Sequence, residues 1–317
     1  MRQLSTWKTP RKISCLYLGK MTDAEEIQPL SLRLVGTEKI EEDINSITLT
    51  QEDIEKFGDI VGDHSPIHRS TKAAKKMGFE DTPIMGVHLA AIGGRLSREF
   101  LETVRQENPG MNYVGQKVIF RKPVYPGGIR KPKWRFDGIE FNERELTTKI
   151  VAEKGDSVHV ELESRFSQNL PEIPQYDENN LVYRELRMID PDSVRDFYKH
   201  LKEESPIERK VSFAHGVSLV PSTLLDFLKE LNTKGEEFMG ANREMDSEFY
   251  GEISAGETEI EIYQHDEKIN KKRGIYIYTF DGVLSQQDIP RLRTRVKCVM
   301  NGELNIRSLR ERYGLSP

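Results

Sequence analysis

Residues 61–70 read VGDHSPIHRS. One carboxylate, two imidazoles and a proline fall within this decapeptide, and it begins where a helix pattern stops. Thr50, followed three residues later by Asp53, has the form of a capping box, and Ile54, Phe57 and Val61 recur at helical spacing. Pro66 fixes its own φ and biases Ser65 toward extended backbone, so a shaped turn is expected. Residue types alone leave two readings open: a polar connector, or a site that uses Asp63 and His68.

Outward from the turn, STKAAKKMGF (70–79) reads as a short basic helix. VHLAAIGGRLSREFLETV (87–104) reads as a longer one, apolar enough at its start to be buried. After residues 108–110 the pattern becomes β: YVGQKVIF (113–120), KPKWRFDGIEF (131–141), LTTKIVAEK (146–154) and SVHVELESRF (157–166) alternate or carry β-branched runs between turn residues. Helices first and antiparallel strands after point to α+β. The polar stretch 167–180, with two prolines, reads as a linker. The order then repeats: helices at 188–201 and 214–231, then strands within 248–264, 273–282 and 293–302.

The repetition holds letter by letter. Ile54, Phe57 and Ser65-Pro66-Ile67 align with Val194, Phe197 and Ser205-Pro206-Ile207 at an offset of 140. Gly86, Val87 and Leu89 align with Gly216, Val217 and Leu219 at 130; Phe120 and Gly127 align with Phe249 and Gly256 at 129. A duplicated chain is therefore expected. In the second copy Asp63 and His68 have become Glu203 and Glu208, while the proline turn is kept.

Composition limits the function classes. With 317 residues there is room for two ordinary domains. Charged residues make up 31% and the net charge is −5, which speaks against phosphate-driven nucleic-acid binding. No apolar run reaches membrane-helix length, and the basic N-terminal segment lacks a signal-peptide core. A cytoplasmic protein with no membrane and no nucleic-acid partner is expected. Cys15 and Cys298 make neither a metal cluster nor a disulfide framework.

The segment GDHSPIH (62–68) resembles the G-D-x-N-P-(I/L)-H signature of the MaoC-like, (R)-specific enoyl-CoA hydratases (hydratase 2) of the hot-dog fold, with Ser65 where Asn is usual. STKAAKKMGFEDTPIMG (70–86) resembles the family's next helix and the lead into its central one. YVGQKVIFRKPVYPGG (113–128) resembles its Y-x-G-Q-x-x-x-F-x-x-P-V-x-x-G-D strand pair, with Gly128 in place of the final Asp. FAHGVSL (213–219) resembles the A-H-G start of the central helix. The resemblance covers about residues 30–305 and is stronger in the first half.

It implies two tandem hot-dog units, each an antiparallel sheet wrapped round a central helix, forming a pseudo-dimer. Their bounds would be an N-terminal extension (1–30), a first unit carrying the catalytic loop (31–166), a linker (167–182), a second, degenerate unit (183–306) and a tail (307–317). It implies hydration or dehydration of a 2-enoyl/(R)-3-hydroxyacyl thioester, carried on CoA or an acyl carrier protein. Asp63 and His68 would be the dyad that activates water, with acid and base unassigned between them. Gly86 and Val87, at a helix start, would stabilise the thioester oxyanion, and Ser65 would contact substrate. The family often has His before this glycine; here it is Met85. No cofactor and no metal are expected, and homodimerisation stays open. A non-catalytic acyl-thioester binder or regulatory subunit is the alternative, and a hot-dog thioesterase a third. Of the remaining polar groups, His64 is read as solvated, His88 as a core residue and His215 as a packing relic. Arg69, Lys72, Lys75 and Lys76 are read as a solvated face.

Overall fold

The computed structural model describes residues 16–20, 28–32, 48–107, 109–127, 133–142, 145–201, 210–231, 240–300, 302–304, 310–311 and 314–315. The second copy of the loop (202–208), Gly128 and Cys15 lie outside them. A hairpin of β1 (Leu16–Lys20) and β2 (Gln28–Leu32) comes first. Helix α1 (Gln51–Val61) follows and has the expected capping box. Thr50 Oγ1 accepts from the Asp53 N–H (3.1 Å), and Asp53 Oδ2 accepts from the Thr50 N–H (2.8 Å); such a cap stabilises a helix by about 1 kcal/mol. Gly62 closes α1 in the left-handed region, φ 78°, where a glycine carries no Cβ penalty. Next come α2 (Thr71–Lys76), α3 (Gly86–Glu107), and strands β3 (Asn112–Phe120), β4 (Lys133–Asn142), β5 (Glu145–Lys154) and β6 (Ser157–Ser167).

The second half repeats the plan. After β7 (Leu181–Ile189) comes α4 (Pro191–His200), capped by Asp190, 140 residues after Thr50. Then β8 (Lys210–Val211), α5 (Phe213–Leu231), β9 (Gly240–Phe249), β10 (Ile253–Ser254), β11 (Gly256–Asn270), β12 (Ile275–Gln286) and β13 (Ile289–Met300) follow. β7 begins at Leu181, inside the stretch expected to be linker.

Among the described residues, nine strands form one antiparallel sheet in the order β4-β5-β6-β3-β9-β13-β12-β11-β7. The halves meet at β3 and β9. Gly115 pairs with Glu248, Lys117 with Asp246, and Ile119 with Glu244. An offset of 129 turns this register into itself, so a pseudo-twofold axis passes through the Lys117–Asp246 pair; self-complementarity of this kind is the mark of an isologous contact. The chain is thus α+β, two hot-dog units side by side. α3 packs on β3 and β6, α5 on β11, β12 and β13, and the two helices touch each other. Absent side chains permit the close approaches. A Cβ on Gly93 would fall 1.8 Å from Leu162, one on Gly282 2.1 Å from Val220, and one on Gly94 3.3 Å from the Ala214 Cβ. α1 and α4 pack against one another beside the long helices, with Phe57 and Phe197 in ring contact.

Candidate active site

The turn after α1 is built by short-range bonds. Asp63 Oδ1 accepts from the Ser65 N–H (2.9 Å), and the Ser65 carbonyl accepts from the His68 N–H (3.1 Å). Pro66–His68 then form a single 3₁₀ turn. Gln51 reaches from the first turn of α1 to donate to the His68 carbonyl (2.7 Å). Arg69 binds the Glu55 carbonyl (3.2 Å) and the Asp59 carboxylate (2.5 Å). This corrects the reading of Arg69 as part of a solvated face: its guanidinium pins the loop to α1. Lys72, Lys75 and Lys76 are exposed, as expected, and so is His64.

Asp63 and His68 are both buried, 4% and 9% exposed. Both line a cavity of about 270 Å³ together with Ser65, Gly86, Val87 and Phe120. His68 Nδ1 lies 2.8 Å from the Pro83 carbonyl oxygen. That oxygen can only accept, so Nδ1 carries the hydrogen and Nε2 is the free basic nitrogen of the neutral ring. Burial pushes the His68 pKa below its ordinary value, partly opposed by the neighbouring Asp63 charge.

Gly86 and Val87 open α3, where the first N–H groups of a helix have no partner within it. The Phe120 ring closes over this start: a Cβ on Gly86 would stand 2.9 Å from Phe120 Cζ. Met85 is fully buried and turns toward α1, with its Cε 2.6 Å from where a Cβ on Gly58 would be. The opposite wall comes from the other unit, through Ser218, Pro221, Ser222 and Leu225 of α5 and Asn242 and Arg243 of β9. Sequence reasoning named Asp63, Ser65, His68, Gly86 and Val87 of this lining and missed Phe120 and the opposite wall, which is almost 150 residues or more from the decapeptide and has no motif of its own. The duplication was the available signal, since a pseudo-dimer puts each unit's helix beside the other's loop.

His88 is buried and stacks on Phe57, rings 4.0 Å apart and 3° from parallel. His215 stacks on Phe197 at 4.4 Å and 7°. Both serve as core aromatics, and His88 Nε2 is also 3.2 Å from His200 Nε2 across a small second cavity. Burial holds the His88 pKa well below its ordinary value and takes that of His215 to about 3. Cys298 is a buried free thiol. Among the described residues no cluster of three or more His, Cys, Asp or Glu is placed to hold a metal ion, and no helix is long and apolar enough to cross a membrane.

Residues 37–158 match the family model described as MaoC like domain. A curated relative, the mitochondrial 3-hydroxyacyl-[acyl-carrier-protein] dehydratase of Arabidopsis thaliana, is 31% identical over 78 residues, which is 25% of this chain and 43% of the relative. The match thus spans less than half of that relative's length. Among solved structures, a putative MaoC domain protein dehydratase from Chloroflexus aurantiacus superposes over 80% of this chain and 92% of its own, with a TM-score of 0.57 and 14% identity. A structure titled MaoC-like dehydratase covers 80% of this chain and 95% of its own, with a TM-score of 0.53 and 8% identity. At such identities the likeness shows a shared fold. Residues 37–158 therefore carry a MaoC-like domain, within a double hot-dog architecture.

Proposed function

We propose that the protein is a hydro-lyase that adds water to a 2-enoyl thioester, or removes it from an (R)-3-hydroxyacyl thioester, with Asp63 and His68 holding the water. One observation carries the reading: a buried carboxylate and a buried imidazole of fixed tautomer line one cavity together with the start of a buried helix. In the hydration direction, His68 Nε2 takes a proton from the water as its oxygen bonds to C3. The C2=C3 electron pair moves toward C2 and the thioester oxygen, and C2 then takes the proton that His68 Nε2 had accepted, so that H and OH have been added and the imidazole is neutral again. Asp63 Oδ1 is engaged by the Ser65 N–H, which leaves Oδ2 for the water's second hydrogen. N–H groups of Gly86 and Val87 stabilise the oxyanion; losing one such donor costs about 10²–10³ in rate. The dehydratase name of the curated relative and the matched domain support this reaction class over a thioesterase.

The acyl group would be carried by CoA or an acyl carrier protein, with no cofactor; the first unit is proposed at 31–166, and the second starts at β7, residue 181, instead of 183. The test is incubation with crotonyl-CoA while enoyl absorbance and free thiol are followed together. Loss of absorbance without thiol is expected. Thiol release would indicate a thioesterase, and neither change would leave the non-catalytic binder.

A further inference from the structure

We propose that Arg187, supplied by the second unit, is a positioning residue for the loop that carries Asp63 in the first. The proposal rests on the hydratase reading for its kinetic consequence, though not for its structural one. Arg187 is on β7. Its Nη1 donates to Ser222 Oγ (2.7 Å) and lies 3.3 Å from Thr223 Oγ1, and its Nη2 is 3.5 Å from Asp226 Oδ2. A single turn of α5 thus holds the planar fork. The same guanidinium lies against Gly62: a Cβ built there would stand 3.3 Å from Nη2 and 3.6 Å from Ser222 Oγ. Gly62 is the left-handed corner immediately before Asp63. The corner from which Asp63 springs therefore leans on the other unit, and Ser222 also lines the cavity.

The duplication provides an internal control. At the offset of 130, Ser222, Thr223 and Asp226 correspond to Ile92, Gly93 and Leu96 of α3; at 140, Arg187 corresponds to Ile47. Helix α3 is built without those hydroxyl and carboxylate anchors, and the sequence has isoleucine where β7 has the arginine. Packing alone does not require them. The polar cluster occurs on the helix face that meets the Asp63 loop, and the equivalent face has none of its members. Its asymmetry follows that of the dyad, which the second copy has lost.

A guanidinium held at three points is stiff, and a displacement of about 1 Å at a reacting group costs on the order of 10²-fold in rate. The full-length protein and its R187Q and R187K variants are compared by two readouts. In hydrogen–deuterium exchange, peptides covering 62–69 should exchange about ten times faster in R187Q; unchanged exchange there overturns the proposal. This readout needs no turnover. An inactive wild-type protein would therefore sink the hydratase reading without touching the inference. With crotonyl-CoA, R187Q should lower kcat about 10- to 100-fold with KM within about twofold and an unchanged melting temperature, and R187K should recover part of the loss. A wild-type kcat, or a loss that merely follows a fall in melting temperature, overturns the kinetic role. Should R187Q fail to fold, T223V and D226N, which leave the arginine but remove anchors, should give the same pattern at smaller amplitude. Wild-type behaviour in both then overturns it.

Discussion

His68 Nδ1 and the carbonyl oxygen of Pro83 lie 2.8 Å apart, and that contact decides the protonation of the ring. With Nδ1 committed as donor, the base is Nε2, and burial keeps it neutral further into acid than a free imidazole. kcat/KM should therefore be flat through neutral pH and fall on the acid side only below the ordinary imidazole value of 6.5. His68→Gln should remove the acid limb and cost about 10²–10⁴ in kcat. An acid limb unchanged in that variant would assign it to another group.

Asp63→Asn keeps an oxygen for the Ser65 N–H and loses the charge. The turn should survive, with a melting temperature within a few degrees of wild type, while kcat falls by about the same factor as for His68→Gln. Because both groups act on one water, the double variant should be little worse than either single one. Additive losses in that cycle would separate the two residues functionally.

Gly86→Ala places a methyl group 2.9 Å from Phe120 Cζ. Steady-state kinetics should show a kcat loss of about 10²-fold, as the start of α3 or the ring is displaced. Phe120→Leu combined with Gly86→Ala should recover part of it. No recovery would mean that the cost lies in the helix start itself.

Stability should weaken in acid through the buried imidazoles. His215 is neutral in the fold down to about 3, whereas the unfolded chain protonates it near 6.5. Its contribution is complete above pH 6.5 and is lost as the pH falls toward 3, at about 1.4 kcal/mol per pH unit in that window. Urea titrations at pH 7 and pH 5 should differ accordingly. His215→Phe, which keeps a ring against Phe197, should narrow the difference, and a variant with the wild-type pH dependence would exclude His215 as a source.

Much of the architecture is legible in the residues because local signals agree with the fold. The capping box at Thr50, the helix spacing of Ile54, Phe57 and Val61, and the alternation in 157–166 each recur in the structure. β7 and all of β9 but its last two residues were not legible, for a physical reason. β7 is an edge strand whose outward residues include Leu186 and Met188, 68% and 65% exposed, so burial and polarity do not alternate together. β9 lies between β3 and β13 with Glu244, Asp246 and Glu248 on one face, paired to Lys117, Arg165 and Arg293. Its sequence therefore looks like a surface loop. Around the cavity, Asp63 and His68 could be named because they sit in one short motif (62–68), and Gly86 and Val87 because they stand where the next matching segment meets a helix start. Arg187 and Ser222 could not, since their role depends on which unit faces which.

The Lys117–Asp246 pair at the centre of the sheet has a consequence for assembly. In a true homodimer of single units, the residue on the axis would meet its own copy, and a lysine there would face a lysine. Here the two copies have drifted to opposite charge, with Lys117 3.1 Å from Glu244 and Arg165 2.8 Å from Asp246 along the same seam. The first half now prefers the second half over another first half. The seam is heterotypic, and exchange of halves between chains is discouraged where two identical edges would have invited it.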